Sequence, residues 1–182
     1  MKPIAVLHEG NDKSSLDNKL IKGLIDYLKL DAEQVDFYGM GVKSNFFKSN
    51  YIAYKALKQP VEKGQITRIF FVIDADNDFE KTQNQLESII KELNIETISS
   101  FYIMCHPDTK KGYVESFILS TIPKDKMDCI DKFLECSGFI ANNGDKSTYE
   151  RIYKSIAHPL SPYKFDHENF NELKTKLENL FI

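Results

Sequence analysis

Between Arg68 and Asp78 the chain reads Arg-Ile-Phe-Phe-Val-Ile-Asp-Ala-Asp-Asn-Asp, and this stretch limits the possible folds more than any other. Its run of consecutive apolar residues has no polar alternation, the composition of a strand buried on both faces and hence of a parallel sheet covered by helices on each side. Asp74, Asp76 and Asp78 then follow at alternate positions, where that strand has to end. Crowded ionised carboxylates repel one another, and a cation relieves the repulsion. Hard ions such as Mg²⁺ prefer oxygen ligands, and ligands of open α/β sheets lie beyond the carboxyl ends of the strands. Asp74 and Asp76 are therefore read as half of a metal site. The competing reading is a turn and helix cap, since Asp and Asn bond nearby backbone N–H groups. That reading is preferred for Asp78, with Glu80 in the first turn of the helix it caps. An EF-hand loop is excluded, because Phe79 and Gln85 stand where it needs Gly and Glu.

The rest of the chain supplies a sheet for that strand. Pro3–His8, Val35–Tyr38, Thr67–Asp74 and Phe101–Cys105 read as strands. Between them, helical spacing of apolar residues predicts helices over Ser15–Lys29, Ser44–Lys63 (with a possible break at Pro60) and Asp78–Leu93. Strands alternating with helices give an α/β fold, a Rossmann-like and mostly parallel four-stranded sheet. After Pro107 the pattern turns helical, over Gly112–Thr121, Asp125–Ser137, Ser147–Ile156 and Asn169–Phe181. The expectation is an α/β core over 1–106 and a helical C-terminal cap over 107–182, packed as one compact unit.

Composition narrows the function classes. A net charge of −3 and a pI near 5.8 give no global nucleic-acid signature, so any such contact has to come from a local patch. Three cysteines, a start too briefly apolar for a signal peptide and no span long enough for a membrane point to the cytoplasm, with reduced thiols and no membrane partner. Cys129 and Cys136 are read as sharing a buried helix face. Cys105-His106 lacks the spacing of a zinc site, and all four histidines are read as structural or surface residues.

The missing half of the metal site is sought at neighbouring strand ends. Glu9 directly follows the first strand, and Gly10 after it lets the backbone turn tightly. The alternative is that Glu9 complements a helix dipole. A strand ending in Glu-Gly, followed by an apolar strand ending in Asp-x-Asp, resembles the TOPRIM domain shared by topoisomerases, bacterial primases and nucleases of the overcoming-lysogenization-defect (OLD) type. The likeness runs over Pro3–Cys105 and is greatest to small stand-alone TOPRIM-like proteins. It implies a site where Glu9, Asp74 and Asp76 bind Mg²⁺ (or Mn²⁺) and carry phosphodiester chemistry. OLD-like nucleases carry an acid four places after the glutamate. This chain has Lys13 there, and the nearest acid, Asp12, comes one place early. The same resemblance matches Glu115 to a glutamate after the fourth strand and Lys146 to a later lysine. Glu115 or Asp12 would serve a second ion or act as general base, and Lys146 or Lys13 would neutralise transition-state charge.

For substrate, the segment from Lys43 to Lys58 carries Lys43, Lys48, Lys55 and Lys58 and no acid, interleaved with Phe46, Phe47, Tyr51 and Tyr54. Lysines can meet phosphates and exposed rings can stack bases. An amphipathic helix with core aromatics and solvated lysines fits the spacing better, but the patch stays the best candidate for a DNA or RNA groove. The leading expectation is a Mg²⁺-dependent TOPRIM-type nuclease. A non-catalytic metal- or nucleic-acid-binding module is the alternative. A phosphatase of the haloacid-dehalogenase type fits less well, because Asp78 stands where that motif has Thr or Val.

Overall fold

The computed structural model describes residues 2–10, 15–137 and 164–182. Its strands are β1 (Ile4–His8), β2 (Val35–Gly39), β3 (Arg68–Asp74) and β4 (Ser99–Met104). They form one four-stranded sheet in the order β2-β1-β3-β4, with each neighbouring pair parallel. The helices between them are α1 (Leu16–Tyr27), α2 (Ile52–Glu62) and α3 (Phe79–Glu92). After β4 come α4 (Val114–Leu119), α5 (Lys124–Ser137) and α6 (Asn171–Glu178). The α/β reading with a mostly parallel four-stranded sheet holds, and every neighbouring pair is in fact parallel.

The order of the strands determines where the helices go. The chain leaves β1 for one side of the sheet, then returns past β1 to β3 and β4 on the other. Crossovers of one hand that reverse direction must place their helices on opposite faces. Accordingly Ile4, Val6, Phe70, Val72 and Met104 pack against α1 and against Val114, Phe117, Phe170, Leu173 and Leu177 of the C-terminal part. Ala5, Leu7, Ile69, Phe71, Ile73 and Ile103 pack against Leu57 of α2 and Leu86 and Ile89 of α3. Successive residues of β1 and β3 thus serve two different cores, which is why both strands read as apolar without interruption. The direction reverses between β1 and β3, so their carboxyl ends flank the topological switch point.

The structure departs from the sequence reading in a few places. The helix expected from Ser44 begins only at Ile52, because Lys43–Asn45 forms a 3₁₀ turn and Lys48 N–H and Tyr51 N–H bond back to Asn45 and Lys48 carbonyls. Pro60 lies inside the last turn of α2 without ending it, since so close to the C-terminus little helix remains to be broken. Cys129 and Cys136 are exposed, so α5 does not bury the face they share. The helix expected over Ser147–Ile156 lies outside the described residues, as do Asp12, Lys13 and Lys146. Among the described residues no helix is long and apolar enough to cross a membrane.

Candidate functional site

Glu9, Asp74 and Asp76 all lie at the carboxyl end of the sheet, at or just after the ends of its two central strands. His8 pairs with Val72 across the β1–β3 ladder, so the ends of these two strands, one followed by Glu9 and the other closed by Asp74, lie next to each other at the switch point. Gly10 turns the chain at φ +97°, where a Cβ would come within 2.6 Å of Ser15 Cβ. Gly10 also exchanges hydrogen bonds with Gly41 of the loop after β2, N–H to carbonyl at 3.2 and 3.0 Å. The loops after β1 and β2 are thereby laced together.

Asp74 closes β3 and is 6% exposed. Its Oδ1 accepts the backbone N–H of Val114, the first residue of α4, at 2.9 Å. That N–H belongs to the set that an α-helix leaves without an internal acceptor. Glu115, the next residue, is half-buried and enters the same corner of the fold from the first turn of α4. Asp76 adopts φ 55°, the left-handed region that Asp tolerates better than most residues. Its N–H donates to the Gly112 carbonyl at 2.9 Å and its carbonyl accepts from Gly112 N–H at 2.6 Å. This two-way bridge ties the loop after β3 to the loop before α4. Asp78 caps α3, its Oδ1 accepting Lys81 N–H at 2.9 Å, as its position predicts.

Lys43 separates itself from the other lysines of its segment. Its ammonium donates to the Ala75 carbonyl at 2.8 Å and lies 3.0 Å from Asp76 Oδ2. Lys48, Lys55 and Lys58 are exposed. Phe46 is fully buried, and Tyr54 is buried with its hydroxyl donating to the Phe46 carbonyl at 2.6 Å. The aromatics are thus core, as the amphipathic reading has it. Lys55 and Lys58 border a cleft of about 620 Å³ between α2 and α3, floored by Ile69 and Phe71, and Glu9, Asp74, Asp76 and Glu115 do not line it.

A buried network beneath Glu9 escaped the sequence reading. His8 is 1% exposed, with Nδ1 2.9 Å from the Glu9 carbonyl and 3.2 Å from Ser15 Oγ. Its Nε2 lies 3.2 Å from Asn18 Nδ2. An Nδ1–H tautomer satisfies both sides, donating to the carbonyl and accepting from the amide. His8 is therefore structural, as expected, but it supports the main chain of Glu9 and the start of α1. Asp17, in the first turn of α1, is likewise buried. A histidine directly before the acid, with Ser and Asn at the next helix start, was the available signal. At the end of β4, burial pushes the Cys105 thiol up, with Lys110 opposing and the charges of Glu172 and Asp74 adding to the rise. His106 accepts Asp108 N–H at 3.3 Å and stays within its own loop.

The chemistry of these donors suits a hard divalent cation, since Glu9, Asp74, Asp76 and Glu115 offer only oxygens. Their placement does not yet suit one. Among the described residues no group of three or more His, Cys, Asp and Glu side chains stands where it could hold an ion. Asp74 Oδ1 is given to Val114, and the Asp76 carboxylate to Lys43.

Residues 5–160 match the model of one family, described as a protein of unknown function (DUF3226). No curated protein matches the chain, and neither does any solved structure.

Proposed function

We propose that this chain, which belongs to the DUF3226 family matched over residues 5–160, carries out Mg²⁺- or Mn²⁺-dependent phosphodiester chemistry on nucleic acid, as a TOPRIM-type nuclease. One observation carries the reading: acids from distant parts of the sequence, Glu9, Asp74, Asp76 and Glu115, gather at the carboxyl ends of β1 and β3 and the start of α4. Ligands of open α/β sheets bind at such a switch point. The parallel sheet with acids after its first and third strands also agrees with the TOPRIM resemblance in the sequence. Glu9, Asp74 and Asp76 would hold the ion, which when bound supplies positive charge to a phosphate oxygen and to an attacking water. The chain's own residues fix the acids in place, His8 under Glu9, Val114 on Asp74 and Gly112 around Asp76. Free Cys129 and Cys136 on the surface fit a reducing, cytoplasmic setting.

A second reading, a non-catalytic binding module, is favoured by the internal partners of the two aspartates, a backbone N–H on Asp74 and the Lys43 ammonium on Asp76. Calorimetric titration with Mg²⁺ and Mn²⁺, followed by a cleavage assay on mixed DNA and RNA, separates the two. Cleavage by the wild type that is lost in Asp74→Asn and Asp76→Asn supports the nuclease. Nucleic acid retained but never cut, across several divalent ions, supports the module.

A further inference from the structure

β4 is the last strand on its side of the sheet, so one of its edges has no strand beside it. Main-chain polar groups alternate sides along a strand. Met104 accepts Ala75 N–H at 2.8 Å, toward β3. Ser100 and Tyr102 therefore face β3 as well, and the N–H and carbonyl groups of Ser99, Phe101 and Ile103 face outward. Such a row is a template for pairing with another strand. Two clefts run along it, one of about 380 Å³ beside Ser99 to Phe101 and one of about 250 Å³ beside Phe101 to Ile103. Ser99 Oγ and Ser100 Oγ, at the first cleft, find no partner among the described residues. One side chain bars the way. Lys176 belongs to α6, which packs on the Tyr102 face, yet its ammonium donates to the outward Phe101 carbonyl at 3.0 Å. It also lies 5.4 Å from the centre of the Phe101 ring, which packs on the opposite face.

The two ends of this edge differ in charge. Glu87 and Glu96 line the cleft at its start, and Lys110 lines the cleft at its finish. Glu172, also at the second cleft, lies 3.5 Å from Lys176 and is already engaged. We propose that the outer edge of β4 docks against the same edge of a second copy of this chain, in antiparallel register, with Lys176 the side chain that must move aside. Antiparallel pairing is two-fold symmetric, so one surface patch serves both copies. With Phe101 opposite Phe101 of the second copy, each donates an N–H and accepts one. Ser99 then lies opposite Ile103, which brings the acidic end of each copy to the Lys110 end of the other. In-register parallel pairing would set acids against acids, so charge selects the antiparallel arrangement. The pairing stands or falls independently of the proposed chemistry.

Sedimentation velocity of the full chain over a range of concentrations reads the pairing. The wild type should form a reversible dimer, weak because a single strand edge is a small interface and a lysine has to be displaced. Lys176→Met, which keeps the apolar stem and removes the ammonium, should dimerise about fivefold more tightly. Glu96→Lys and Lys110→Glu, both at exposed positions, should each weaken the dimer about fivefold by setting like charges together. The two changes combined restore opposite charges and should recover the wild-type affinity. A dimer seen only in Lys176→Met would also support the proposal, with the charge changes then read in that background. Monomer in wild type and Lys176→Met at every concentration would overturn it. So would a dimer indifferent to the charge changes, or one that the combined variant does not recover. Lys176→Gln gives the same reading if Lys176→Met does not fold.

Discussion

Asp74 Oδ1 accepts the backbone N–H of Val114 at 2.9 Å, joining the end of the central strand to the start of a helix 40 residues further on. The bond gives a buried carboxylate a partner and gives α4 an acceptor for one of its orphan N–H groups. Any substitution of Asp74 therefore tests stability together with chemistry.

Asp74→Ala should lose about 1–3 kcal/mol, the cost of leaving a buried donor without its acceptor. Asp74→Asn retains an oxygen for Val114 and should lose less, about 1 kcal/mol or below. Urea unfolding of the two variants measures the difference, and equal losses would refute the pairing. Asp74→Asn is accordingly the variant for activity measurements, because Asp74→Ala confounds a lost ligand with a loosened helix.

Asp76 calls for the same care for a different reason. Its backbone sits at φ 55° with both polar groups given to Gly112, so the side chain must tolerate the left-handed region. Asp and Asn do so, whereas other L-residues meet a penalty of about 1–2 kcal/mol. Asp76→Asn should stay within about 0.5 kcal/mol of wild type, since the ion pair with Lys43 is partly exposed. Asp76→Val should be destabilised well beyond that. Thermal melts of the two variants decide the point.

Gly112 and Gly64 form an internal comparison. Both have positive φ, +99° and +65°, but a Cβ on Gly64 meets nothing within 4 Å while one on Gly112 runs into Ser116 Oγ and Cβ. Gly64→Ala should cost only the backbone penalty, about 1 kcal/mol. Gly112→Ala should cost more, about 2–3 kcal/mol, because the start of α4 has to shift as well. Denaturant titration of both variants checks the order. Ser116→Ala in the Gly112→Ala background should recover part of the loss and never all of it.

The sheet was legible in the sequence because its strands are buried on both faces, and Ile69–Ile73 can be little else. The places of Glu9, Asp74, Asp76 and Asp78 followed from where such strands end. Lys43 was not legible in its role: it was grouped with the lysines of the segment up to Lys58, just before a helix expected from Ser44, whereas the 3₁₀ turn Lys43–Asn45 sets it apart and its ammonium reaches the Ala75 carbonyl and Asp76. Periodicity reports which residues share a face, and a contact between the loops after β2 and β3 depends on strand order, which periodicity does not contain. The His8–Asn18 contact was hidden for the same reason, being a tertiary pairing between a strand end and a helix start.

The buried tyrosines give the fold an alkaline limit. Burial pushes the Tyr54 hydroxyl well above its ordinary value, and Tyr102 is pushed up by burial with Glu172 and Cys105 adding to it. A group whose pKa is higher folded than unfolded contributes stability that is fully present below its unfolded value and is lost as pH rises beyond it. Both phenols ionise near pH 10 in an unfolded chain. Stability should therefore be insensitive to these tyrosines around neutrality and fall steeply above about pH 10. Tyr54→Phe should lose about 1 kcal/mol at neutral pH, for the missing bond to the Phe46 carbonyl, and should decline less steeply in alkali. Tyr54→Phe with Tyr102→Phe should flatten the alkaline limb further. Urea unfolding free energies measured across the alkaline range provide the check, and an unchanged slope in the double variant would assign the limit to other groups.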